Sequence, residues 1–121
     1  MAQNTLVVLI PNTPHLGNEN NVQALTGSAK QAADYYISLR NMQTISWSLT
    51  TNFSGNIHIQ ASLDSEPSDT GNWATVYTII TTSSTSPVYD GYYNLQGNYV
   101  WLRAIVTNWT VGTIRQITAS Y

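Results

Sequence analysis

Two histidines, one acidic loop and the aromatic side chains set the limits on any chemistry this chain can perform. His15 lies in a stretch broken by Pro11, Pro14 and Gly17, and His58 falls on the polar phase of an alternating segment. Neither has a partner at a recognisable metal-ligand spacing, so both read as surface polar residues. Asp64-Ser65-Glu66-Pro67-Ser68-Asp69 gathers three carboxylates and two hydroxyls within six residues, an oxygen set that Ca²⁺ accepts. The same residue types build tight turns and no EF-hand spacing is present, so a turn is the favoured reading and a cation site the alternative. Carboxylates this close in one loop are poorly placed to flank a sugar from opposite faces. The chain has no Gly-x-Ser-x-Gly elbow, no Walker loop and no dinucleotide fingerprint. The expectation is a chain that is not an enzyme and that uses no cofactor and no metal.

The aromatic residues say more. Trp47 and Phe53 fall at inward or corner positions of alternating segments and read as core. Tyr92, Tyr93, Tyr99 and Trp101 are open to three readings: core of a sandwich, a protein interface, or a platform that stacks on sugar rings. Tyr, Trp and Arg are favoured interface anchors, so Tyr92, Tyr93, Tyr99, Trp101 and Arg103 are the interface candidates in this part of the chain.

Strands must position these side chains. Ile45, Trp47 and Leu49 alternate with Thr44, Ser46, Ser48 and Thr50, and Ile57, Ile59, Ala61 and Leu63 alternate with His58, Gln60 and Ser62. Between Gly97 and Thr107 the aliphatic Val100, Leu102, Ala104 and Val106 oppose Tyr99, Trp101, Arg103 and Ile105, so both faces of that strand are expected to touch protein. From Gly112 to Tyr121 the phase changes between Ile114 and Ile117, which predicts a β-bulge in a bent terminal strand. Tyr35 to Arg40 and Tyr77 to Thr82 are further strand candidates, and residues 28–34 allow one helical turn. Gly71-Asn72, the run from Thr81 to Pro87, and Gly91 mark loops. Thr51-Asn52-Phe53-Ser54-Gly55 echoes Thr107-Asn108-Trp109-Thr110-Val111-Gly112, which predicts two similar corners, each with an aromatic plug and a glycine. Both contain an N-glycosylation pattern that turn chemistry explains better.

The whole predicts an all-β fold, an antiparallel β-sandwich or jelly roll with an extended N-terminal arm. At 121 residues the chain has room for one core. Residues 1–34 read as the arm and residues 35–121 as the sandwich domain. Only 8% of residues are charged, with a net charge of −2 and four cations that never cluster, so no nucleic acid is expected as a partner. With no cysteine, stability rests on packing. Leu6 to Ile10 is too short for a membrane span or a signal sequence, so a soluble chain made in a cytoplasm and no membrane partner are expected. Leu6, Val8 and Ile10 lack an obvious partner strand and are candidates for adding a strand to a neighbouring subunit.

A family resemblance adds to this reading. It rests on Asn52 to Leu63, on Glu66-Pro67 and Trp73, and on Gly97-Asn98-Tyr99-Val100-Trp101-Leu102-Arg103-Ala104. Val106-Thr107-Asn108-Trp109 and Gly112-Thr113-Ile114 complete it. Through these residues the stretch from Tyr35 to Tyr121 resembles small structural proteins of tailed bacteriophages, especially those infecting cyanobacteria. The resemblance implies a β-sandwich in the virion: a capsid decoration (cement) protein, or a tail, neck or fibre component that could bind host glycans. It further implies a major capsid protein or another virion protein as partner, and self-association as a dimer or trimer.

Overall fold

Inward-facing Ile, Leu, Val and Trp alternate with Thr, Ser, Asn and Gln along most of the chain, and the outcome is two antiparallel sheets packed face to face. The computed structural model describes residues 6–16, 22–31, 42–63, 71–97 and 99–121. The strands are β1 (Leu6–Ile10), β2 (Thr13–Pro14), β3 (Gln23–Thr26), β4 (Lys30–Gln31), β5 (Met42–Leu49), β6 (Ser54–Ser62), β7 (Ala74–Ile80), β8 (Asp90–Gln96), β9 (Trp101–Val111) and β10 (Thr113–Ser120). One sheet runs β1-β10-β5-β8 with β2 also on β10, and the other runs β3-β9-β6-β7 with β4 also on β9.

Counting β1 with β2 and β3 with β4 as single interrupted strands, the chain is one long antiparallel ribbon. Its first strand pairs with its last, its second with its seventh, its third with its sixth and its fourth with its fifth. Rolling that ribbon so that β10 meets β5 and β9 meets β6 gives the two facing sheets of a jelly roll. Leu9, Ile10, Ile45, Leu49, Ile57, Ile59, Leu102, Val106, Ile114 and Ile117 fill the space between them, and Trp47, Phe53 and Trp109 are buried with them. Each such large apolar side chain contributes about 1.5–3 kcal/mol on leaving water.

Two local expectations are visible in the structure. The β10–β5 register shifts between Ile114 and Gln116, so Arg115 and Gln116 both face solvent while Ile114, Ile117 and Ala119 all reach the core. The two echoed corners pack on each other, with the Phe53 and Trp109 rings 6.1 Å apart. Gly112, at φ +100°, leaves room for the Phe53 backbone, and Gly55 lies where a Cβ would come within 3.1 Å of the Trp109 Cα. The Thr50 amide donates to the Thr113 carbonyl and the Thr113 amide to the Thr50 hydroxyl, which ties the corners together.

The first third differs from its expected form. Instead of an arm, its described residues are edge strands of both sheets: β1 and β2 pair with β10, and β3 and β4 with β9. Leu6 to Ile10 therefore has its partner strand inside its own chain. Lys30 and Gln31 are extended, so the described part of the 28–34 helical turn is absent, and the Tyr35 to Arg40 strand candidate lies outside the described residues, as does the acidic loop 64–69. The strand expected from Tyr77 begins at Ala74, and β8, expected as loop around Gly91, is a regular strand.

Candidate interaction surface

β8 is a strand because of what lies under it. Its inward positions are Gly91, Tyr93 and Leu95, opposite Trp47, Ile45 and Gln43 of β5. Trp47 takes the space a side chain at Gly91 would need, since a Cβ there would lie 3.0 Å from its Cζ2. The Trp47 indole donates to the Val88 carbonyl at 2.9 Å, which fixes the entry to the strand. On the outward phase Thr44 Oγ1 donates to Asn94 Oδ1 at 2.9 Å and the Ser48 hydroxyl donates to the Asp90 carboxylate.

Beside β8 the other sheet ends in β7, and the two edge strands are joined by side chains rather than by backbone. The Tyr77 and Tyr93 rings stack with centroids 4.0 Å apart and 11° between planes, and Trp47 packs against Tyr77 at 6.0 Å. Burial, and then the neighbouring Tyr93 hydroxyl, raise the Tyr77 phenol above its ordinary value. Tyr92, on the outer face of the same strand, is 75% exposed and Tyr93 is 42% exposed.

The expected interface residues do not share one surface. Tyr92 and Tyr93 lie on this surface. Leu6 and Val8 lie on the opposite side of the sandwich, where Val8 lines an open groove of about 530 Å³ with Pro11, Leu25 and Lys30. Ile10 is 1% exposed, so as a core residue of its own chain it cannot serve as an outward contact.

Tyr99, Trp101 and Arg103 form no common outward face. Tyr99 is half-buried against the core. Trp101 is half-buried, and its indole nitrogen has no hydrogen-bond partner among the described residues. Arg103, though on the outer phase of β9, is only 7% exposed, with Nε donating to Gln60 Oε1 at 3.0 Å and the guanidinium 4.1 Å from the Trp73 ring centre. Arg103 is therefore a packed cation and not an outward anchor.

No protein-family model, curated protein or solved structure matches the chain. The surface must be judged on its own chemistry. Its aromatic rings, hydroxyls and amides suit apolar and hydrogen-bonded contacts, with Asp90 the one charged side chain along β8. The histidines sit elsewhere. His15 packs edge-on against Trp109 at 5.4 Å, and His58 Nδ1 lies 2.9 Å from Thr78 Oγ1. Tyr77 and Trp73, the partners of Tyr93 and Arg103, were not among the expected site residues, because each contact joins strands or segments distant in sequence.

Proposed function

We propose that the chain is a phage virion structural protein, a capsid decoration (cement) protein that acts by adhesion and performs no chemistry. The observation that carries this reading is Tyr92, a large aromatic residue 75% exposed on the outer face of an almost uncharged strand of a jelly roll, beside an edge where the half-exposed Tyr93 ring stacks on Tyr77. The resemblance of residues 35–121 to small structural proteins of tailed phages supports the same reading. Its motif residues supply much of the inner strands β6 and β9 and both packed corners. Fold alone would not choose, since jelly rolls serve capsids, lectins and enzymes alike.

Adhesion by such a surface relies on repetition. A standard interface buries about 800 Å² per partner, and modest contacts multiplied over identical sites on a shell can brace it against internal pressure. With few charges to screen, the contacts are expected to change little with salt. Locating the chain in a density map of the virion tests this: density on the outer capsid supports it, and density confined to the tail or its absence from the particle overturns it.

A second reading, a tail, neck or fibre component that holds host glycans, draws on the exposed Tyr92 ring with the Thr44, Ser46 and Asn94 side chains on the same outer face. A glycan array with Tyr92→Ala and Asn94→Ala as comparisons separates the two. Specific sugar binding lost in those variants favours the fibre role.

A further inference from the structure

Edge strands offer unpaired backbone groups to any other chain, and most of those described here carry a feature that blunts this. The β1 ladder shifts register between Val8 and Ile10 and runs into Pro11, and β2 is two residues long and contains Pro14. The β3 ladder shifts between Gln23 and Leu25, β4 is two residues with Lys30, and the β7 ladder shifts twice. β8 has none of these. It pairs with β5 over seven consecutive residues without a shift, contains no proline, lysine or arginine, and keeps an unpaired outer edge among the described residues.

The direction of its backbone groups follows from one hydrogen bond. The Leu49 amide donates to the Tyr89 carbonyl at 2.8 Å, and these residues continue the β5–β8 register, so they form a hydrogen-bonded pair. Hydrogen-bonded pairs alternate, so Gly91, Tyr93 and Leu95 turn their N–H and C=O groups toward β5. Asp90, Tyr92, Asn94 and Gln96 turn theirs outward. The Thr44–Asn94 and Ser48–Asp90 side-chain bonds agree, since they fall on the non-hydrogen-bonded pairs where side chains approach most closely.

We infer that β8 is a dimerisation strand, and that its partner is β8 of a second copy of this chain, antiparallel across a two-fold axis through Tyr93. Full overlap of the seven-residue strand on itself sets Asp90 opposite Gln96, Tyr92 opposite Asn94, and Tyr93 opposite its own copy. Every residue with outward backbone groups then meets another such residue, a parity that a strand with the alternate set turned outward would match only in a shorter pattern. Charge agrees as well, because the one carboxylate faces a neutral amide and no like charges meet. The two sheets join into one, with a Tyr77–Tyr93 stack on either side of the axis and two Tyr92 rings on the shared outer face.

Sedimentation velocity of the full chain across the micromolar range reads the result, with thermal unfolding of each variant confirming the fold. Wild type is expected to be a dimer. Tyr92→Lys with Asn94→Lys sets like charges opposite one another at both pairs and gives a monomer, whereas Tyr92→Lys with Asn94→Glu sets opposite charges there and restores the dimer. A monomeric wild type, or a dimer that survives the double-lysine change, overturns the pairing. A dimer lost with lysine and glutamate as it is with two lysines overturns the Tyr93-centred register. If the wild type is monomeric and still binds capsids, the self-pairing fails while the adhesive function stands.

Discussion

Tyr77 and Tyr93 stack 4.0 Å apart although they belong to different sheets, and their rings close the side of the sandwich where β7 and β8 have no backbone bonds to each other. On the opposite side β1 and the β3–β4 strand meet at Gly27, where a Cβ would lie 2.6 Å from the Leu9 carbonyl. One side is therefore closed by backbone contact and the other by aromatic side chains, and the aromatic side is the one proposed for binding.

Alkaline pH should loosen the tyrosine closure. The Tyr77 pKa is raised in the folded protein, by burial first and by Tyr93 second, so its contribution is fully present below the unfolded value near 10.0 and is lost as pH rises through the folded one. Denaturant unfolding followed from neutral pH to above 10 is expected to show stability falling at the alkaline end. Tyr77→Phe should flatten that fall more than Tyr93→Phe; an unchanged alkaline profile in both variants contradicts the assignment.

The packed corners predict an unequal pair of glycine effects. Gly112→Ala meets both a positive φ and a Cβ 2.5 Å from the Phe53 Cα, and should cost at least about 2 kcal/mol. Gly55→Ala, with its nearest atom at 3.1 Å, should cost less. Thermal or denaturant unfolding of the two variants checks the order, and equal losses would count against the corner geometry.

Phe53→Ala and Trp109→Ala should each destabilise by about 3–5 kcal/mol, as large aromatic-to-alanine changes in cores do. Because the rings are 6.1 Å apart and share one site, the double variant should depart from the sum of the singles. Strict additivity in a double-mutant cycle would mean that the echoed corners do not act as a unit.

Arg103→Lys should not be conservative. Lysine has no planar fork to lie over Trp73 while donating to Gln60, so a loss of about 1–2 kcal/mol is expected, with quenching of tryptophan fluorescence altered. Wild-type stability in this variant would show that Arg103 is held by its charge alone.

Alternation made β5, β6 and the core face of β9 readable in the sequence, and the phase change after Ile114 made the bulge readable, because each is a property of neighbouring residues. The early strands were not readable. β2, which falls between Pro11 and Gly17, and β3 and β4 after it are strands of two to four residues, too short to show a period, and their partners β9 and β10 lie near the other end of the chain. β8 was hidden because one inward position is Gly91, whose missing side chain is replaced by the Trp47 ring. Of the candidate surface, Tyr92 and Tyr93 were legible as aromatic neighbours. Ile10 was misplaced outward because its partner strand β10 lies at the far end of the sequence, and Arg103 because alternation assigns a face but cannot tell what covers it.

The central claim is adhesion to a capsid through the aromatic side of the sandwich, and co-sedimentation of the purified chain with capsids of its proposed parent phage tests this most directly. Saturable binding is predicted, changing little with salt and weakened at least about tenfold, or roughly 1.4 kcal/mol, by Tyr92→Ala, an exposed substitution that should leave the fold intact. No binding by the correctly folded chain, or binding that Tyr92→Ala leaves unchanged, would contradict the account.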